Sequence, residues 1–264
     1  MMADAANRKL SAASQLSTLV VAQIGLLLRA RKTRALLVVQ LLPVIAALIF
    51  VVFDTVDGLT MFSAIVDVVT IPLLIPLAAI FFGGPAIVEE LEERTLTYLT
   101  LRPMDKAVLY LGKVIAAVAV CLPLVLLPLL VLFLVCLGQS PDWSIAVETF
   151  GQMMLGAGLG VVGYTTLFAF LGAAFASGLL VSIVYFVVVE MGFSMLPIVE
   201  ILTVRFHIRT TAELMSGQPG LLDRLVSQEP LVLDWYWGGA ILLAVSVAAL
   251  AAGAWAFRER QYHV

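Results

Sequence analysis

Long apolar runs separated by short polar segments dominate the chain. A helix needs about 20 mostly apolar residues to cross the hydrocarbon core of a bilayer. Six segments have this length and character: residues 35–53, 63–88, 112–137, 147–170, 178–199 and 238–257. The fourth and fifth are separated only by the uncharged residues 171–177, where Gly172 and Gly178 favour a tight hairpin over one long helix. The pattern predicts an all-α membrane protein, with one bundle of six transmembrane helices over residues 1–264.

The composition supports a membrane protein and excludes several other classes. Hydrophobic residues make up 62% of the chain and charged residues 12%, whereas soluble domains have about 45–50% and about 25%. A soluble core of this size could not bury so much apolar surface. The net charge of −3 gives no indication of a nucleic-acid partner. The two cysteines and two histidines give no pattern typical of a metal site.

The distribution of basic residues predicts the orientation of the helices. With the N-terminus placed inside, only Arg205, Arg209 and Arg224 of the 15 lysines and arginines fall in segments on the external side of the membrane. Cytoplasmic segments are enriched in Lys and Arg. The bias therefore predicts a multi-pass protein with both termini in the cytoplasm.

Three segments outside the predicted spans have a character of their own. Residues 16–34 end in a basic cluster and are expected to form an amphipathic helix at the cytoplasmic interface, in contact with lipid headgroups. Residues 89–111 form a cytoplasmic segment. Residues 200–237 form an external segment, broken around Gly217 and Pro219, for which we expect two short surface helices.

The cytoplasmic segment carries the most distinctive motif. An acidic run is followed by a Thr-Leu pair, an Arg-Pro pair and a Gly-Lys pair: Glu89, Glu90, Glu92, Glu93, then Arg94, Thr95-Leu96, Arg102-Pro103 and Gly112-Lys113. Pro103 is expected to end one helix, and Asp105 can cap the next. The pattern predicts a rigid, charged projection that can serve as a docking surface.

This motif, together with the predicted topology, resembles the ABC-2-type permeases, the membrane subunits of bacterial ABC exporters. The family usually has glycine where this chain has Arg94. The resemblance implies a permease in the cytoplasmic (inner) membrane that pairs with a second permease chain and with two copies of a cytoplasmic ATPase. It implies that the ATPase, and not this chain, binds ATP and magnesium, and that an accessory protein could bind the external segment. The permease itself would not be an enzyme.

In such exporters the cytoplasmic segment acts as a coupling helix that docks into the ATPase. The resemblance therefore implies a set of docking residues: Glu89, Glu90, Glu92, Glu93, Arg94, Arg102, Pro103 and Lys106. The chain has Ala107 where a phosphate-binding loop ending in Gly112-Lys113 would need glycine, so this pair does not predict an ATP site.

Glycines in the fourth predicted span indicate close helix packing. Residues 158–163 match the dinucleotide-binding pattern G-x-G-x-x-G, but they lie inside an apolar span instead of after a strand. Gly156 and Gly160 have the G-x-x-x-G spacing that lets two membrane helices approach closely. We therefore predict a packing role for this pair.

Glu190, near the middle of the fifth predicted span, is a candidate functional residue because carboxylates are costly in a bilayer. It could line a substrate path, carry protons in a secondary carrier, or stabilise packing as a hydrogen-bonded acid. Asp67 is expected to reach water or headgroups.

Glu89, Glu90 and Arg94 also fit the E-E-x-x-x-R signature of an intramembrane protease family, but that family needs histidines within its spans. The apolar spans slightly favour a lipid-like or amphiphilic substrate.

Overall fold

The computed structural model describes residues 12–52, 57–85, 106–139, 143–175, 177–196, 199–214 and 234–259. These residues are almost entirely helical and contain no strand. The helices are α1 (Ala12–Arg29), α2 (Arg31–Val52), α3 (Gly58–Gly83), α4 (Lys106–Leu137), α5 (Trp143–Ala174), α6 (Gly178–Gly192), α7 (Val204–Thr211) and α8 (Trp235–Glu259).

Five of the described helices, α2, α3, α4, α5 and α8, are long and apolar enough to cross a membrane. The predicted fifth span, residues 178–199, is shorter in the structure. Its helix α6 consists of 8 α-helical and 7 π-helical residues and ends at Gly192, after which the chain forms 3₁₀ turns. At about 1.5 Å per residue, α6 is shorter than the roughly 30 Å hydrocarbon core. The all-helical, multi-pass prediction is confirmed, while the sixth crossing stays a prediction.

The long helix α5 lies at the centre of the bundle, in contact with α3, α4, α6, α7 and α8. Glycines allow the closest approaches. A β-carbon at Gly172 would lie 2.6 Å from the carbonyl oxygen of Gly84, and one at Gly178 would lie 2.5 Å from the Cα of Gly172. The backbones of α3, α5 and α6 therefore meet at one point, and the chain turns tightly between Ala174 and Gly178.

Helix α3 contains a nine-residue π-helical stretch, Val66–Leu74, between two α-helical segments. Such stretches are rare and are often found at functional sites. The side chain of Gln40 in α2 donates a hydrogen bond to the carbonyl oxygen of Leu74 at 3.0 Å. The contact ties α2 to the end of the π-helical stretch.

Helix α1 packs along the beginning of α4, where Gly112 lies against Leu16 and Leu19. The predicted boundary between the interfacial helix (16–34) and the first span (35–53) is wrong by a few residues, because the break falls at Ala30. The Thr33 hydroxyl donates a hydrogen bond to the carbonyl oxygen of Leu27, one of the carbonyls left unpaired at the end of a helix. The basic residues after the break therefore belong to the first turn of α2.

We expect the substitution Gly172→Ala to lower the thermal unfolding temperature of the purified protein in detergent. The new methyl group would collide with the backbone of α3, at a cost of about 1–3 kcal/mol typical of overpacking. Gly151→Ala in the same helix is the matched control, since a β-carbon there meets nothing within 4 Å. Equal unfolding temperatures for the two variants would contradict the close packing at Gly172.

Candidate functional site

The Glu190 carboxylate lies at the centre of a buried polar cluster, with only 2% of the residue exposed. Its Oε2 accepts hydrogen bonds from the Tyr164 hydroxyl at 2.7 Å and from the backbone N–H of Arg205 at 3.2 Å. Its Oε1 accepts from the N–H of Val204 at 3.0 Å and from the Tyr185 hydroxyl at 3.3 Å. Four donors from α5, α6 and α7 thus compensate one carboxylate.

Two of these donors belong to the first turn of α7, where backbone N–H groups have no partner within the helix. The N-cap residue Thr203 uses its hydroxyl to accept a hydrogen bond from the N–H of Phe206 at 3.1 Å. Glu190 accepts hydrogen bonds from the N–H groups of Val204 and Arg205. The side chains of Thr203 and Glu190 thus provide acceptors for three backbone N–H groups at the start of the helix. Backbone N–H groups can only donate, and each carboxylate oxygen receives one. Both oxygens of Glu190 therefore act as hydrogen-bond acceptors at the positive end of α7.

A second carboxylate binds the other end of α7. Arg209, in the last turn, forms a bidentate ion pair with Asp67: Nε lies 2.7 Å from Oδ1 and Nη2 lies 3.2 Å from Oδ2. The Nη1 of Arg209 also lies 3.5 Å from Oε1 of Glu200. The side chains of Arg209, Asp67 and Glu200 are 16%, 26% and 18% exposed. Asp67 thus pairs across the bundle while its side chain stays 26% exposed, so the ion pair adds a partner that the sequence did not indicate.

Helix α7 fits between α5 and α8 because both present glycines to it. Ile208 of α7 is fully buried, with its side chain against Gly160 and its carbonyl oxygen 3.0 Å from where a β-carbon of Gly156 would lie. On the other side, a β-carbon at Gly238 would lie 2.7 Å from the carbonyl oxygen of His207. Gly156 and Gly160 therefore contact this short helix.

The sequence expectation of surface helices after residue 200 is wrong for α7. Six of its eight residues are buried. Glu190 and Asp67 pair with groups at its two ends, and the glycines of α5 and α8 leave room for its backbone. Burial lowers the pKa of His207, because the charged imidazolium is more costly to bury than the neutral ring. Burial also raises the pKa of Glu200 above its usual range, although the neighbouring Arg209 opposes this shift.

The cluster lies in a chain whose family can be recognised by comparison. The sequence profile described as ABC-2 family transporter protein matches residues 28–193. The chain belongs to the ABC-2 transporter family. A search of curated proteins found no match. The family assignment confirms the resemblance found in the sequence, and with the apolar helices it identifies a multi-pass membrane protein of ABC transport.

The part of the chain matched to the ABC-2 family runs from the end of α1 to just beyond α6. It includes both carboxylates that bind α7, whereas α7 and α8 follow it in the chain. The described structure therefore shows how Asp67 and Glu190, on helices within the matched part, hold a helix that lies beyond it.

Most of the predicted ATPase-docking residues lie outside the described residues: Glu89, Glu90, Glu92, Glu93, Arg94, Arg102 and Pro103. Lys106 is the first residue of α4, and it is exposed. Farther along α4, Gly112 contacts α1 and Lys113 is 4% exposed. The Gly-Lys pair of the motif therefore lies where α1 packs on α4.

Sequence reasoning singled out Glu190 but missed its partners and the Asp67–Arg209 pair. One signal was available in the sequence. Asp67 is an acid within the second predicted span, and Arg205 and Arg209 lie close together after the fifth predicted span. Tyr164 gave no such signal, because a tyrosine in an apolar helix is equally compatible with simple packing.

We expect Glu190→Gln to lower the unfolding temperature of the purified protein substantially. The amide nitrogen of glutamine would face a backbone N–H, which leaves a buried donor unpaired at a cost of about 1–3 kcal/mol. The measurement is thermal unfolding in detergent. Glu148→Gln on the exposed face of α5 is the matched control, and an equally small effect of both substitutions would contradict the capping role.

Hydroxyl removal should rank the two tyrosines of the cluster. Tyr164→Phe deletes the 2.7 Å hydrogen bond to the carboxylate, and Tyr185→Phe deletes the 3.3 Å one. We expect the first to destabilise the protein more, by about 1.5–3 kcal/mol for a short bond to a charged group. The reverse order in the same unfolding assay would place the main support of Glu190 elsewhere.

Proposed function

We propose that this chain is the permease subunit of an ATP-driven ABC exporter and that separate ATPase subunits supply the energy. The observation that carries the proposal is the family match over residues 28–193, which includes the acidic and Arg-Pro motif between α3 and α4. The five described helices of spanning length support a role in forming the path through the membrane.

The proposed partners are two ATPase copies below the membrane and a second permease chain beside this one. The docking segment would be 89–111, with ATP and magnesium bound by the ATPase. The packing of α1 against α4 at Gly112 supports this coupling. A push on the segment would reach α4 and α1 together, and packed rigid elements transmit such displacements.

We propose outward movement of an amphiphilic or lipid-like substrate. Two carboxylates described in the bundle, Glu190 and Asp67, already have partners. Glu190 accepts four hydrogen bonds, and Asp67 forms an ion pair with Arg209. Groups compensated in this way are poor ligands for a small ion, which supports a cargo recognised through apolar surface.

The geometry of Glu190 favours an anchoring role over a proton relay in a secondary carrier. A relay acid must exchange its proton with water during the cycle. Glu190 is 2% exposed, and each of its oxygens accepts a backbone N–H at the start of α7. Protonation would disturb the cap of that helix, so the carboxylate is better suited to holding α7 in place.

Affinity purification of the chain from its native membrane in mild detergent, followed by mass spectrometry, tests the proposal. We expect a stoichiometric soluble protein with a Walker motif. The charge reversals Glu93→Lys and Arg102→Glu should each lower its recovery several-fold, since both residues belong to the predicted docking surface.

The matched control is Glu148→Lys, an equivalent reversal on exposed α5 at the predicted opposite side of the membrane. It should leave recovery of the ATPase unchanged. The proposal fails if no ATPase accompanies the wild-type chain under conditions that preserve other membrane complexes.

A further inference from the structure

Two π-helical stretches in the described chain each carry a carboxylate that binds α7. Asp67 lies in the stretch Val66–Leu74 of α3, and Glu190 lies in the stretch Phe186–Gly192 of α6. Glu190 binds the first turn of α7, and Asp67 binds Arg209 in its last turn. A helix of eight residues is thus held at both ends by acids from two separate elements.

The two ends of α7 are held in different ways. At the first end, Glu190 is 2% exposed and accepts hydrogen bonds from two backbone N–H groups of the first turn. At the other end, the Arg209 and Asp67 side chains are 16% and 26% exposed. Removing the hydrogen bonds of a buried carboxylate costs much more free energy than separating an ion pair that water can reach. Of the two polar contacts, the one at Arg209 is therefore the easier to break.

The π-helical stretch of α3 offers a way to release it. A π-helical turn uses i to i+5 hydrogen bonds, and a change to α-helical i to i+4 bonding rotates the side chains along the stretch. Such a change in Val66–Leu74 would turn Asp67 about the axis of α3 and end its bidentate geometry with Arg209.

From these contacts we propose that α7 is a latch with one permanent and one switchable end. The end at Glu190 acts as a hinge, and the end at Arg209 is released from Asp67 and recaptured in each transport cycle. Glu200 holds Arg209 from the other side, at 3.5 Å. The cyclic release rests on the proposed ATP-driven function, whereas the difference in strength between the two ends does not.

Thiol labelling at two buried positions tests the latch in native membrane vesicles that retain the ATPase. Ala212→Cys reports the switchable end and Val204→Cys the hinge, at positions 2% and 5% exposed. The native Cys121 and Cys136 are buried and provide the background in the parent protein. The cysteines are labelled with a membrane-permeant maleimide, with and without ATP. Because this reagent reaches both sides of the membrane, the test does not depend on the orientation of the vesicles or of the chain.

Without ATP, we expect Asp67→Asn to raise the labelling rate of Ala212→Cys at least several-fold and to leave Val204→Cys unchanged. The conservative variant Asp67→Glu keeps the negative charge beside Arg209 and should retain protection, which separates loss of the ion pair from general misfolding. Unchanged labelling of Ala212→Cys in the Asp67→Asn background would overturn the latch. Equal increases at both positions would overturn the hinge.

With ATP, we expect the protein with Asp67 intact to show raised labelling at Ala212→Cys only. ATP hydrolysis in the complex without any change in labelling would overturn the cyclic release while leaving the permease function in place. An exposed Ala212→Cys in the Asp67→Asn protein, combined with no associated ATPase, would instead refute the proposed function and retain only the mechanical difference between the ends.

Discussion

The structure around α7 depends on the burial of one carboxylate. An ionised acid within an apolar bundle is tolerated only when hydrogen bonds replace its hydration. Glu190 obtains four such bonds, and two of them come from backbone N–H groups in the first turn of α7, which have no partner within that helix. The chain after α6 supplies these donors by bringing the first turn of α7 back into the bundle.

This requirement explains why α6 is short and why α7 is buried. The chain leaves α6 at Gly192, passes through 3₁₀ turns and enters α7 beside the same carboxylate. The space for α7 between α5 and α8 exists because Gly156, Gly160 and Gly238 carry no side chain. The contacts of Glu190 and Asp67 at the two ends of α7 and the three glycine positions along it thus define the local architecture together.

The sequence predicts the long helices well because apolar length alone identifies a spanning segment. It also indicates the turn between α5 and α6, where two glycines meet. It fails for α7, because arginines and a histidine among apolar residues resemble a surface helix until their partners are known. Asp67 is 142 positions from Arg209, and a pairing over that distance leaves no periodic pattern along the chain.

The position of Asp67 connects this cluster to the segment predicted to dock on the ATPase. Helix α3 carries Asp67 in its π-helical stretch and continues to Gly83, just before the acidic run that precedes α4. A force on that segment would act along α3, and the π-helical stretch is where the helix can most readily change its hydrogen bonding. The same helix would then respond to the ATPase at one end and release α7 at the other, without a separate chain of contacts through the core.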